Sequence, residues 1–105
     1  AGVPLATMHE IISVSAGNSW MWGDRGPRMM QDDPPVTSAV DIFVKDLGIV
    51  LEEAGRQGVD PVLAAKALDQ FRRAAAEGWG RADDSAVAKI YARDAGIALP
   101  GAGTA

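Results

Sequence analysis

The segment SAVDIFVKDLGIVLEEAGR, at residues 38–56, decides the fold of this chain. Its apolar side chains recur at intervals of three and four residues, which is the spacing of one face of an α-helix. These side chains are Val40, Phe43, Leu47, Val50, Leu51 and Ala54. Charged residues lie off this apolar stripe, and Gly58 follows as a natural helix end. The segment therefore predicts an amphipathic α-helix that buries one face against a core.

Three further helices are predicted outside this segment, because the same spacing recurs between residues that commonly start and stop helices. Asp60 is predicted as an N-cap, and Pro61 fits the first turn that follows it. The starts and ends, in chain order, are Pro4 and Gly17, Asp60–Pro61 and Gly78, and Asp83 or Asp84 and Gly96. No stretch alternates apolar and polar residues as a strand does. The sequence therefore predicts an all-α fold, a compact helical bundle.

Residues 19–35 are the exception to the helical pattern. Gly23, Gly26 and Pro27 favour turns, so a loop is predicted, with at most a short helical turn after Pro27. This loop carries four large apolar side chains, which are Trp20, Trp22, Met29 and Met30. Such a loop is predicted either to pack on the core or to wait for a partner.

The composition describes one small domain and excludes several classes of protein. Of the 105 residues, 48% are apolar and 23% are charged, and the net charge is -4. The apolar fraction is too high for a disordered chain, and no apolar run approaches the ~20 residues that span a bilayer. The negative charge argues against a general nucleic-acid partner. With no Cys and one His, disulfide scaffolds and thiolate or His-rich metal sites are excluded.

Most residues that could carry chemistry have simpler structural interpretations. His9 has no identifiable catalytic partner and is predicted as an exposed or hydrogen-bonded helical residue. The pairs Asp32–Asp33 and Asp83–Asp84 lack the spacing of a calcium loop, and the second pair is predicted as an N-cap with a favourable first-turn charge. Residues 78–80 (GWG) are predicted as a helix stop with the indole packed beneath. No metal site is predicted.

Lys45 has two interpretations from spacing alone. Asp41 precedes it by four residues, which is the spacing of a stabilising ion pair on a helix. The alternative is that Lys45 projects from an otherwise apolar region toward an anionic ligand. Composition does not decide between these interpretations.

Three ordered segments, covering about residues 3–93, resemble the β-hydroxyacid dehydrogenase family. Residues 15–20 (SAGNSW) are similar to its S-x-G-x-S/C-W turn, and residues 38–48 (SAVDIFVKDLG) to its K-D-L-G/R helix. Residues 78–87 (GWGRADDSAV) are similar to its G-x-G-x-x-D-x-S-A segment. Within the family, residues 16–21 (AGNSWM) and 41–48 (DIFVKDLG) are most similar to those of the L-threonate dehydrogenases.

The resemblance implies the helical C-terminal domain of a 6-phosphogluconate dehydrogenase-like enzyme at residues 1–100, with a loose tail at 101–105. It implies NAD or NADP as cofactor, a small hydroxy acid as substrate, hydride transfer as the reaction, a cytoplasmic location and a homodimer or larger homo-oligomer. The family's G-x-G-x-x-G motif and its catalytic Lys would precede Ala1, so this chain alone is expected to be inactive. The alternative is a non-catalytic helical interaction or dimerisation module.

The resemblance also implies roles for individual residues. Lys45 and Asp46 match the positions of the family's cofactor contacts. Trp20 matches a Trp that lines the substrate side, and Asn18 and Ser19 are possible hydrogen-bond donors there. An ammonium group suits an anionic ligand because it acts as a point charge for phosphate or carboxylate groups.

Overall fold

The computed structural model describes residues 2–100, and the tail predicted at 101–105 lies outside them. The α-helices are α1 (Leu5–Ser13), α2 (Trp20–Met29), α3 (Val40–Arg56), α4 (Val62–Ala74) and α5 (Ala88–Ala95). A π-helical turn at Ala75–Trp79 continues α4, and a 3-10 helix at Asp84–Val87 leads into α5. The described residues contain no strand, and Ala39 and Asp83 form an isolated antiparallel bridge. The all-α prediction is confirmed.

The core lies where α3, α4, the 3-10 helix and α5 meet. Val40, Ala74, Ala86 and Ile90 form its buried cluster. Phe43 and Phe71 stack across the α3–α4 contact, with ring centroids 4.7 Å apart. The apolar face predicted for residues 38–56 therefore packs on α4 through Phe43, whereas Val50, predicted on the same face, is 46% exposed. None of the helices in residues 2–100 combines the length and the apolar character needed to cross a membrane.

The predicted helix ends are confirmed at two glycines. Gly58 and Gly96 follow α3 and α5 with φ angles of 72° and 67°, a backbone conformation that favours glycine. Gly78 also has a positive φ angle and interrupts the π-helical turn, so it stops the α4 segment as predicted. The first helix ends earlier than predicted, because α1 stops at Ser13 rather than near Gly17.

The start predicted for the α4 segment is wrong in its detail. The helix begins at Val62, and Pro61 rather than Asp60 occupies the N-cap position. No side-chain hydrogen bond caps this end among the described residues. The Asp60 carbonyl instead accepts a hydrogen bond from the Val62 N–H at 3.0 Å. A turn made by the backbone therefore replaces the predicted carboxylate cap.

The prediction of a loop across residues 19–35 is wrong in its first part, because residues 20–29 form α2. The Ser19 hydroxyl oxygen caps this helix by accepting a hydrogen bond from the Trp22 N–H at 2.9 Å. Pro27 lies two residues before the last residue of α2, where a break in the helical hydrogen bonds affects little of the helix. The cap at one end and the late position of the proline let a short helix form.

Gly26 explains why packing overrides the weak helical tendency of this segment. A Cβ atom at this position would lie 2.7 Å from the Nε2 atom of His9 on α1. The His9 ring also stacks on Trp22, and its Nε2 atom lies 3.2 Å from the Trp22 carbonyl oxygen. The glycine that lowers helix propensity thus allows α1 and α2 to approach closely.

Candidate functional site

The end of the α1–α2 turn and the first residue of α2 hold the three residues predicted to lie on the substrate side. Asn18, Ser19 and Trp20 border an open cavity of about 380 Å³. The Trp20 residue is 74% exposed, so its indole is available to a ligand or partner. Ser19 also serves as the cap of α2, which fixes the start of the helix that carries Trp20. The structure therefore brings these three residues together at one opening.

Lys45 and Asp46 lie on α3, and they line neither this cavity nor the apolar cavity described below. The Lys45 side chain is 68% exposed, and its Nζ atom lies 3.5 Å from an Asp46 carboxylate oxygen. At that distance and exposure, an ion pair contributes little and opens readily to another anion. The predicted cofactor residues thus form a separate exposed pair within residues 2–100.

The predicted ion pair between Asp41 and Lys45 is wrong. The Asp41 carboxylate lies against Gly80, where an added Cβ atom would be 2.5 Å from an Asp41 oxygen. The Asp41 N–H also donates to the Gly80 carbonyl at 2.9 Å. Because residues 80–82 close the N-terminus of α3, Asp41 points toward them and not along the helix toward Lys45.

A buried ion pair that the sequence analysis missed anchors α2. Arg25 binds Asp84 through two hydrogen bonds, Nε to Oδ1 at 2.6 Å and Nη2 to Oδ2 at 3.0 Å. Their side chains are 13% and 3% exposed. The hydrogen bond to Asp84 raises the pKa of Arg25 above its usual range. This pair ties α2 to the 3-10 helix, although 59 residues separate its members in the sequence.

Arg25 also binds Asp24 through its Nη1 atom. Asp24 lines the same open cavity as Trp20, so the ion pair connects that cavity to the buried Asp84. Asp24 and Arg28 show the four-residue spacing of a helical ion pair, and their atoms lie 3.4 Å apart. That four-residue spacing was the signal in the sequence for this network. It was not recognised because the segment was predicted as a loop, and the spacing brings two side chains together only in a helix.

Asp83 confirms the N-cap prediction for the second acidic pair. Its carboxylate accepts hydrogen bonds from the Ser85 N–H and hydroxyl and from the Thr37 N–H. Burial by itself raises the pKa of Asp83. The hydrogen bonds from Ser85 and Thr37, with the charge of Arg28, outweigh that effect and hold the pKa below its ordinary value. Asp84 supplies the predicted acidic residue of the first turn.

An apolar cavity of about 310 Å³ lies beside the Arg25–Asp84 pair. Its apolar lining comes from α2, α3, α4 and the 3-10 helix, and consists of Met21, Trp22, Met29, Phe43, Phe71 and Val87. Trp22 and Met29 are partly buried here, whereas Trp20 faces solvent. The packing alternative therefore holds for Trp22 and Met29, and the partner alternative stays a prediction for Trp20.

The structural interpretations of His9 and Trp79 hold. His9 makes the hydrogen bond and stacking contact with Trp22 described above. Trp79 packs against the buried cluster, with Lys89 and Arg93 over its ring at 5.6 Å and 5.3 Å from the centroid. Residues 2–100 contain no group of three or more His, Cys, Asp or Glu side chains that could hold a metal ion.

Comparison with known proteins shows the family of this chain. Residues 1–91 match the family described as NAD-binding of NADP-dependent 3-hydroxyisobutyrate dehydrogenase. The chain belongs to this dehydrogenase family, whose cofactor is NAD or NADP.

Individual relatives agree with this assignment. The chain is 46% identical over 102 residues to L-threonate dehydrogenase of Escherichia coli K12, covering 97% of this chain and 33% of the relative. It is 36% identical to 2-(hydroxymethyl)glutarate dehydrogenase of Eubacterium barkeri, covering 95% of this chain and 34% of that relative. A crystal structure of 3-hydroxyisobutyrate dehydrogenase from Salmonella typhimurium matches with a TM-score of 0.80 and 45% identity, covering 85% of this chain and 31% of that one. The chain thus spans about a third of the length of these relatives.

Lys45 and Asp46 offer one exposed donor and one exposed acceptor, which are groups that could contact a nicotinamide dinucleotide. The Lys45 ammonium can bind a phosphate or carboxylate group, since its pairing with Asp46 is long and exposed. The Asp46 carboxylate can accept hydrogen bonds from hydroxyl or amide groups. Residues 2–100 contain no strand followed by a Gly-rich turn, so the cradle for the pyrophosphate is not among them.

Proposed function

We propose that residues 1–100 form the helical C-terminal domain of an NAD(P)-dependent β-hydroxyacid dehydrogenase. The enzyme oxidises a small hydroxy acid, L-threonate-like or 3-hydroxyisobutyrate-like, by hydride transfer. The family match over residues 1–91 carries this proposal. The helical fold, and its similarity to a solved dehydrogenase at a TM-score of 0.80, support it.

Lys45 and Asp46 are proposed to contact the cofactor. Bound NAD(P) would accept the hydride, and this chain's part is to hold and orient it. The exposed Lys45 ammonium offers its charge to an anionic group, and the absence of a pair with Asp41 in the described structure leaves it free to turn toward a ligand. Asp46 either orients Lys45 or accepts a hydrogen bond from the cofactor.

The cavity wall at Asn18, Ser19 and Trp20 is proposed to face the substrate. The Trp20 indole supplies an apolar surface that excludes water from one side of a small acid. The side chains of Asn18 and Ser19 offer hydrogen bonds to its hydroxyl or carboxylate groups. The chain supplies one wall of a cleft, and the catalytic Lys and dinucleotide cradle of the family pattern have no counterpart in it.

A role in subunit contacts is proposed beside the catalytic one, with the enzyme a cytoplasmic homodimer or larger homo-oligomer. Exposed apolar side chains cluster along the sequence around the α3–α4 connection, which favours an interface there. They are Ile49, Val50, Val59, Val62 and Leu63. The alternative function is a non-catalytic interaction module that associates through the small residues of α4 and the segment that carries Trp20.

The test is a kinetic assay of the full-length protein that contains this chain. We expect reduction of NAD or NADP with L-threonate or 3-hydroxyisobutyrate. Lys45→Ala should lower kcat/KM about 10- to 100-fold, the effect of losing a hydrogen bond to a charged group. Lys45→Arg should restore part of the activity. The matched control is Lys66→Ala, which removes an exposed Lys from α4.

The possible outcomes separate two claims. A complete protein that oxidises neither acid with either cofactor would refute the proposed function. An active enzyme in which Lys45→Ala has the kinetics of the Lys66→Ala control would refute only the role of Lys45.

A further inference from the structure

Asp24 belongs to the cavity that holds the proposed substrate residues, yet the family motifs assign it no role. It lines that cavity together with Asn18, Ser19 and Trp20. Its side chain is 32% exposed. A carboxylate therefore lies at the same opening as the Trp20 indole.

One oxygen of Asp24 is engaged by the protein and the other is open. Oδ2 accepts the hydrogen bond from Arg25 and lies 3.4 Å from the Nε atom of Arg28. Oδ1 has no hydrogen-bond partner within residues 2–100. The carboxylate is held in a fixed orientation and still offers one acceptor to a ligand.

The neighbouring arginines do not turn this opening into an anion site. The Nε and Nη2 atoms of Arg25 both donate to the buried Asp84. Arg28 reaches toward Asp83 at 3.5 Å and donates to the Pro35 carbonyl. Both guanidinium groups are therefore compensated by carboxylates, and Asp24 supplies the charged group that lines the cavity.

We propose that Asp24 is a specificity-determining residue that selects hydroxy acids with one carboxylate and further hydroxyl groups over dicarboxylic acids. This inference rests on the proposed function. The free oxygen of Asp24 accepts a hydrogen bond from a substrate hydroxyl group. The same negative charge repels a second carboxylate placed at that position.

The experiment compares L-threonate with 2-(hydroxymethyl)glutarate as substrates of the complete protein encoded with this chain. L-Threonate has one carboxylate and several hydroxyl groups, whereas the second acid has two carboxylates. The wild type should prefer L-threonate, and Asp24→Asn should lower the ratio of the two kcat/KM values about 10- to 100-fold. The matched control is Asp94→Asn, since Asp94 is also held by an arginine but lines neither cavity. The ratio of the two kcat/KM values should be the same in Asp94→Asn as in the wild type.

A second measurement needs no variant. Salt screens repulsion between exposed charges, so added salt should weaken the preference of the wild type for L-threonate. The salt dependence should disappear in Asp24→Asn.

Three results would overturn the inference. The first is an active wild type that prefers the dicarboxylic acid or whose preference does not respond to salt. The second is an Asp24→Asn enzyme in which the ratio of kcat/KM for L-threonate to kcat/KM for the dicarboxylic acid is that of the wild type, including the case in which both values fall equally. These two leave the proposed function intact. The third is a wild type inactive toward every hydroxy acid tested, which overturns the proposed function and this inference with it.

Discussion

Replacing Arg25 by Met tests whether the buried ion pair anchors α2. Within residues 2–100, both side-chain hydrogen bonds of Asp84 come from Arg25. The Asp84 side chain is 3% exposed, and most of the cavity beside it is lined by apolar side chains, so water replaces these hydrogen bonds poorly. Met keeps much of the length of the Arg side chain and removes only its charge and donors. The variant thus leaves a carboxylate buried without a partner.

The expected loss is large for a domain of this size. Breaking one side of a buried ion pair costs about 3–5 kcal/mol, because the remaining charge is uncompensated. For about 100 residues, each kcal/mol lowers Tm by roughly 4–8 °C. The Arg25→Met chain should therefore melt at least about 12 °C below the wild type.

Thermal unfolding followed by circular dichroism measures this loss, with two further variants for comparison. Arg73→Met breaks a pair of similar geometry, Arg73 to Asp94 at 2.7 Å and 2.8 Å, but both side chains are about half exposed and the effect on Tm should be small. Arg25→Met combined with Asp84→Leu removes both charges and should recover most of the lost stability. The reasoning fails if Arg25→Met melts no lower than Arg73→Met. It also fails if the double variant is as unstable as the single one.

Two further predictions concern packing and pH. Gly26→Ala should destabilise the chain by about 1–3 kcal/mol, since its methyl group overlaps the His9 ring, whereas Gly23→Ala in the same helix meets no atom within 4 Å and should be neutral or stabilising. Urea unfolding measures both variants, and equal effects would contradict the close α1–α2 contact. The pKa of Asp83 is lower in the folded chain than its ordinary value of 3.8, so the folded chain protonates this carboxylate less readily than the unfolded chain does. The contribution of Asp83 to the free energy of unfolding is therefore present above pH 3.8 and is lost as the pH falls below that value. Unfolding free energies measured from pH 5 to pH 2.5 should fall less steeply for Asp83→Asn than for the wild type, and equal slopes would refute this contribution.

The sequence alone was sufficient for those elements whose signals are local. The apolar stripe of residues 38–56 and Gly58 after it identify α3, because periodicity and a left-handed glycine act within one helix. The K-D-L-G segment and its two companion motifs point to the dehydrogenase family for a similar reason. A motif is a set of residue types at fixed spacing, and the residue types and their spacing can both be read from the sequence without coordinates.

Tertiary structure decided what depends on partners distant in the sequence. Residues 20–29 form a helix although glycine and proline disfavour one, because the absence of a side chain at Gly26 lets this segment pack against His9. Local helix propensity does not include that contact. Asp41 turns from Lys45 to Gly80 because the chain returns to the N-terminus of α3 some 40 residues later. Asp24 and Arg25 likewise join an ion-pair network only when folding brings Asp84 to Arg25. Spacing along one helix predicts which side chains are neighbours on that helix, but burial and hydrogen bonding across helices determine which neighbour each charged group takes.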